Sequence, residues 1–346
     1  MSIIVEAEAW QLYELMLRSR RFEEAVKKLW DEGKISGEMH LGIGEEAIMA
    51  GVISQLKEGD AMALDHRGTS PLIMRGVDSV ALLLEFLGHS QGLCAGMGGH
   101  MHLYSKEHLA ASSGIVGSSG PAATGFALAL KYKRTDNIAV AFFGEGSMNQ
   151  GMMLESMNLA SVWKLPVLFV CKDNEWAITT LSKEVTGGTL VDRAKGLGIE
   201  GAEVDGMDVA VVLKVANDAI SKMRKDGGPY FIHAHCVHKT GYFLGDPLLR
   251  FHETPIKMFW QQTGPLMKST FSIKGAAVHE RGGSLVRVFS LISKSGKQRK
   301  KKIDPLVVDE KKLKEDKARL KEIEETVSKE VEAAVDRALD IFQGRG

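Results

Sequence analysis

Residues 144–180 read GEGSMNQGMMLESMNLASVWKLPVLFVCKDNEWAITT. Just before them, Ile138–Phe143 is an apolar, β-rich run, and it breaks at the glycine turn GEGSMNQG. Helical spacing over Met152–Trp163 then leads into a second apolar run, Val167–Cys171. Strand, turn, helix and strand make a βαβ unit, whose right-handed crossover puts both strand ends on one side of a parallel sheet. Open α/β sheets bind their ligands on that side. Glu145 stands between two glycines at the first strand end, and Asn174 follows the second strand 29 residues later, the length of one crossover. The two side chains are therefore expected to meet. A carboxylate, an amide oxygen and a backbone carbonyl are hard oxygen ligands of the kind Mg²⁺ takes at about 2.1 Å, completed by phosphate oxygens and water. The pattern predicts a metal-bridged diphosphate, although a Gly-Glu-Gly turn alone also reads as the start of a capped helix.

Outward from this unit, Pro121–Tyr132 is helical, and strands at Ala202–Val204 and Tyr230–Cys236 with a helix at Val209–Met223 extend the parallel sheet. Upstream, Trp10, Tyr13, Leu17, Phe22, Val26 and Leu29 recur at helical spacing over residues 6–31, followed by helices near Glu45–Leu56 and Val77–Leu87. Nine of the 37 glycines fall between Gly88 and Gly125, a density that predicts a loop approaching a ligand closely. Residues 258–302 are of mixed composition and end in a basic run, Lys294 to Lys302, read as an insertion or flexible arm. From Asp309 to Phe342 one long amphipathic helix is predicted, with Leu313, Leu320, Ile323, Val327, Val331, Val335, Leu339 and Phe342 as an apolar stripe that needs a partner surface.

The 346 residues balance 44 Lys+Arg against 44 Asp+Glu, with 44% hydrophobic residues, which excludes a disordered, fibrous or strongly nucleic-acid-driven chain. No apolar run approaches the roughly 18 to 20 residues of a membrane span, so a soluble protein is expected. Met1–Trp10 has neither the basic start nor the apolar core of a targeting segment. Three scattered cysteines, Cys94, Cys171 and Cys236, argue for a reducing compartment, the cytoplasm. A P-loop, a complete G-x-G-x-x-G after a strand and H-E-x-x-H are all missing. HAHCVH, residues 233–238, invites a zinc reading through His233, His235 and His238, but no paired cysteines support it. The basic run has no interleaved aromatics, so a solvated arm is the better reading than a nucleic-acid site.

Residues 144–180 resemble the thiamine-diphosphate motif, in the form worn by the alpha subunit of the first component of 2-oxoacid dehydrogenase complexes. The resemblance continues through GGHMHLYS, SGIVGSSGPAATGFALALKYK, VDGMD and GDPLLR, covering roughly residues 10–256 in order. It implies an α/β fold, a parallel sheet flanked by helices, with N-terminal helices and a long C-terminal helix. It divides the chain into a helical extension (1–60), a thiamine diphosphate and Mg²⁺ domain (61–256), the basic arm (257–303) and the C-terminal helix (304–346). By the same resemblance Glu145, Asn174 and the carbonyl of Trp176 hold Mg²⁺, and Gly144, Gly146, Ser147 and Asn174 line the diphosphate. Gly114 and Val116 offer backbone groups to the aminopyrimidine, and His66 and Arg67 face the diphosphate. His66, Arg67 and Tyr242 are the candidate catalytic residues.

The implied reaction is decarboxylation of a 2-oxoacid such as pyruvate, with the acyl group passed to lipoyl on an acyltransferase core; acetoin and branched-chain 2-oxoacids are the alternatives. A beta subunit completes the site, giving an α₂β₂ heterotetramer whose α/β contacts offer the C-terminal stripe a surface. Three departures from the family pattern stand out: Glu145 replaces the metal Asp, Thr69 a His two residues after Arg67, and Tyr242 the active-site His. These leave His66, His100, His102 and His238 as substitutes, and they motivate a rival reading, a non-catalytic assembling subunit.

Overall fold

The computed structural model describes residues 6–246 and 304–345, with isolated positions between 283 and 294. The helical spacing of the N-terminal segment forms α1 (Glu6–Asp31), with Glu6 and Glu8 in its first turn and Lys28 in its last, matching the helix dipole. There follow α2 (Glu46–Ile53), β1 (Ala61–Leu64), α3 (Thr69–Met74), α4 (Ser79–Phe86), β2 (Tyr104–Ser105), β3 (Ala110–Ser112) and α5 (Ser119–Tyr132). Then come β4 (Ala139–Gly144), a 3₁₀ turn (Glu145–Asn149), α6 (Gly151–Val162), β5 (Val167–Asp173), and a small hairpin of β6 (Trp176–Ala177) and β7 (Thr180–Leu181). The remaining elements are α7 (Ser182–Val185), α8 (Leu190–Gly196), β8 (Glu200–Asp205), α9 (Val209–Asp226), β9 (Tyr230–His235), α10 (Pro305–Leu313) and α11 (Lys317–Phe342).

Seven strands form one sheet in the order β2-β3-β1-β4-β5-β9-β8, parallel throughout except for the edge pair β2 and β3. The expected βαβ unit is its centre, with Ala139 opposite Val167 and Gly144 opposite Lys172. All of β5 is buried, the mark of a strand covered on both faces. Small residues, Ala61, Ala63, Ala139 and Ala141 on the strands and Ala123 and Ala127 on α5, let that helix sit close over β1 and β4. Parallel pairing brings the C-terminal ends of β1, β4, β5 and β9 to a single edge, where Asp65 to Arg67, Glu145, Lys172 to Asn174 and His235 lie or are carried by the next loop.

Two compact units emerge, residues 1–238 with 303–346, and residues 239–302. The N-terminal and C-terminal helices thus belong to the same unit as the sheet. The expected flexible basic arm, 258–302, lies outside the described residues apart from the isolated positions. The C-terminal segment departs from expectation in two ways. It is broken at Lys314–Asp316, where Asp316 accepts the Arg319 N–H at 3.0 Å and starts α11 afresh. Part of its stripe is covered within the chain: Val327 and Val331 are buried, with Ala338 beside them, and α11 packs on α1 and α4. Arg319 lies over the Trp10 ring at 4.6 Å, and Arg18 reaches Glu330 at 2.9 Å. Phe342, at the end of the stripe, is exposed. Among the described residues no helix is long and apolar enough to cross a membrane.

Candidate active site

Glu145 begins the 3₁₀ turn directly after β4, and its side chain is 2% exposed. One carboxyl oxygen accepts the Ser182 hydroxyl at 2.8 Å, and the Asn174 N–H is a further hydrogen-bond partner. The crossover therefore brings the Glu145 carboxyl to the backbone N–H of Asn174. Burial, and then the neighbouring Asp173 carboxylate, push the Glu145 pKa up to about 7. Asn174 is itself buried, its amide oxygen accepting the Trp176 N–H at 3.1 Å. Between them Glu175 takes a left-handed backbone, φ 67°, which bends the chain so that β6 returns over the 3₁₀ turn. A carboxylate, an amide oxygen and a backbone carbonyl are the oxygen donors that a hard divalent cation takes.

Gly146 has room for a Cβ 3.5 Å from Ala177, so its freedom is not demanded by packing, while Ser147 is buried. Gly114 is tighter, since a Cβ there would come 3.0 Å from the Met101 sulfur. Val116, by contrast, is 52% exposed. Arg67 is 2% exposed and donates to the Leu41 carbonyl at 2.5 Å, with its Nε 3.9 Å from Glu45. Thr69 is buried at the start of α3. Tyr242 belongs to the other unit, where its N–H bonds Asp246 at 3.0 Å and its ring meets Phe243 edge-on.

Lys172 and Glu45 went unread in the sequence. Lys172 is wholly buried, with its ammonium 2.7 Å from Glu45 and 3.0 Å from Asp65. Glu45 also takes His238 at 2.6 Å. Burial would raise the Glu45 pKa, but Lys172, His238 and Arg67 hold it well below the usual carboxylate range. A lysine ending an otherwise apolar strand was the available signal; its partners, more than a hundred residues away, were not. His40 was likewise unread. Its Nδ1 lies 2.9 Å from His100 Nε2 and its ring 4.7 Å from His66. Burial, with neighbouring cations and imidazoles, pushes His40, His66 and His100 down to about 2, 3 and 4, so all three are neutral at physiological pH.

Residues 94–99 of the glycine-rich run are organised from within. Glu85, buried on α4, accepts the N–H groups of Cys94, Gly96, Gly98 and Gly99 at 2.6 to 3.2 Å. These amides organise the loop around a carboxylate of the protein itself. The zinc reading of HAHCVH also changes. His233 and His235 do share a face of β9, near Asp173, but His238 bonds Glu45 beside Lys172, on the opposite face because residues 172 and 173 alternate.

Residues 14–279 match the family described as dehydrogenase E1 component. The chain is 38% identical over 245 residues, 70% of this chain and 74% of the relative, to the alpha subunit of acetoin:2,6-dichlorophenolindophenol oxidoreductase of Bacillus subtilis. It is 35% identical over 272 residues, 78% of each chain, to the alpha subunit of the pyruvate dehydrogenase E1 component of Rhizobium meliloti. A second acetoin oxidoreductase alpha subunit, from Cupriavidus necator, is 40% identical over 237 residues, 68% of this chain and 71% of that one. The chain belongs to the dehydrogenase E1 component family. Membership makes it an oxidoreductase chain, and implies thiamine diphosphate as cofactor and a beta-type partner.

Proposed function

We propose that this chain is the alpha subunit of a thiamine-diphosphate-dependent 2-oxoacid dehydrogenase acting on pyruvate or a close relative, with acetoin as the alternative substrate. The observation that carries the reading is the junction of β4 and β5, where the buried Glu145 carboxyl meets Asn174 and Trp176 follows. Glu145, Asn174 and the Trp176 carbonyl would hold Mg²⁺, with Gly144, Gly146 and Ser147 at the diphosphate. Arg67 and His66 would complete the diphosphate side, and Gly114 and Val116 would offer backbone groups to the aminopyrimidine. The cofactor supplies the carbon nucleophile and electron sink that decarboxylation needs.

The protein's part is to bind, orient and exclude water. Neutral His66, His40 and His100 act as hydrogen-bond donors and acceptors rather than as cations. Arg67, turned from Leu41, suits a phosphate oxygen by its fork of donors. Tyr242 is assigned the position of the family's active-site His. In this reading residues 61–256 carry the site, residues 1–60 and 304–346 brace it, and the assembly is a cytoplasmic α₂β₂ heterotetramer serving a lipoyl acyltransferase core. A non-catalytic assembling role draws on Thr69, which is buried where the family pattern has a His.

Co-expression with a candidate beta chain separates these readings. Mg²⁺-dependent thiamine diphosphate binding and dye-linked oxidation of pyruvate, branched-chain 2-oxoacids or acetoin, each requiring both chains, are expected. A stable complex that binds cofactor without turnover would favour the assembling role, and turnover by this chain alone would overturn both.

A further inference from the structure

We propose that Asp173, His233 and His235 form a site for a divalent transition-metal ion, next to Glu145 but differing from the oxygen-ligand site above in its two imidazoles. The parallel register of β5 and β9 sets Asp173 directly opposite His235, and His233 lies two residues back on the same face. One ligand atom from each of the three lies within 4.8 Å of the others. Asp173 Oδ2 is 2.8 Å from His233 Nε2 and 3.9 Å from His235 Nδ1. These separations bracket the edge of about 3.3 Å that a tetrahedral ion with bonds of about 2.0 to 2.1 Å requires, so side-chain adjustments of well under an ångström would close the site.

The surroundings complete it. His235 Nε2 bonds Glu203 Oε1 at 2.7 Å, the carboxylate partner that orients a ligating imidazole through its other nitrogen. Asp173 and Glu203 together match the charge of a divalent ion. The His233 ring is 7% exposed, and its Nδ1 has no hydrogen-bond partner among the described residues, so protein groups leave this ring half satisfied. The three residues open on a cavity of about 380 Å³ lined also by Glu145, Ser182 and Thr186, with room for water at the remaining coordination positions. Two imidazoles and one carboxylate select Zn²⁺ and its first-row neighbours over Mg²⁺. The other cluster of potential ligands, Glu45, Cys236 and His238, is opposed by the Lys172 ammonium 2.7 Å from Glu45.

The test uses the full chain, stripped with chelator and titrated with Zn²⁺ in excess Mg²⁺, with Co²⁺ as a spectroscopic substitute. One ion per chain is expected, with a Co²⁺ spectrum lacking a thiolate charge-transfer band. His233→Ala and His235→Gln should each weaken binding about 10-fold or more, the scale on which even outer partners of a ligand act. Cys236→Ser should leave it unchanged. His235 is half exposed, so His235→Gln keeps the test decisive if His233→Ala fails to fold. Stoichiometric binding that survives both histidine variants, a thiolate band, or no binding beyond background would each overturn the proposal.

Discussion

Among single residues, Glu145 has the clearest pH signature. Its pKa rises from an ordinary carboxylate value to about 7 in the fold, so between about pH 4.5 and 7 the native state binds a proton that the unfolded chain has lost. Stability of the metal-free chain therefore falls as pH rises through that window. Glu145→Gln should flatten this part of the melting-temperature profile relative to the parent; an unchanged slope would show that the carboxyl is not buried as described. The same proton must leave before a cation binds, so Mg²⁺ affinity should increase up to about pH 7 and then level, as calorimetry in two buffers would record. Lys172 gives a second residue-scale prediction. Lys172→Met leaves Glu45 and Asp65 without their shared ammonium, a loss on the order of 3–5 kcal/mol in urea unfolding. Adding Glu45→Gln should recover part of it, because the stranded charge is then gone.

At the scale of elements, the crossing of α2 and α9 depends on Gly51. A Cβ there would meet Val212 Cγ1 at 2.8 Å and the Leu213 nitrogen at 2.9 Å, with backbone on one side and a β-branched side chain on the other. Gly51→Ala gains helix propensity but must push the helices apart, so a net loss of about 1–3 kcal/mol is expected from chemical denaturation. In an isolated helix the same substitution would be stabilising. The break between α10 and α11 makes the complementary case, since Asp316→Ala removes only a cap and should cost about 1 kcal/mol without altering the sheet.

Across the whole molecule, the return of the chain to its beginning rests on Arg20. Its guanidinium binds Glu46 at 2.5 Å and both oxygens of Asp304 at 3.1 and 3.2 Å, joining α1, α2 and the start of α10 across 284 residues. All three side chains are buried, so Arg20→Leu strands two carboxylates and should destabilise by about 3–5 kcal/mol. Limited proteolysis of this variant should first release the segment after residue 304. Release in parallel with the whole fold would instead show that α10 and α11 are held mainly by the apolar packing of Val327, Val331 and Ala338.

What the sequence by itself determined is local or periodic. The alternation from Ile138 to Cys171, the glycine turn and the helical spacings sufficed for the parallel sheet, because chirality allows one crossover hand, and the crossover length brought Glu145 to Asn174. Short strands escaped: β1, β2 and β3 have four residues or fewer and too few alternating positions to show a period. Only the tertiary structure decided which charges meet. Glu45 finds Lys172 and His238, and Glu85 gathers the glycine amides, through contacts that sequence spacing does not encode. It also turned one histidine motif into two clusters on opposite faces, since alternation along β5 and β9 becomes a spatial separation only once the strands are paired.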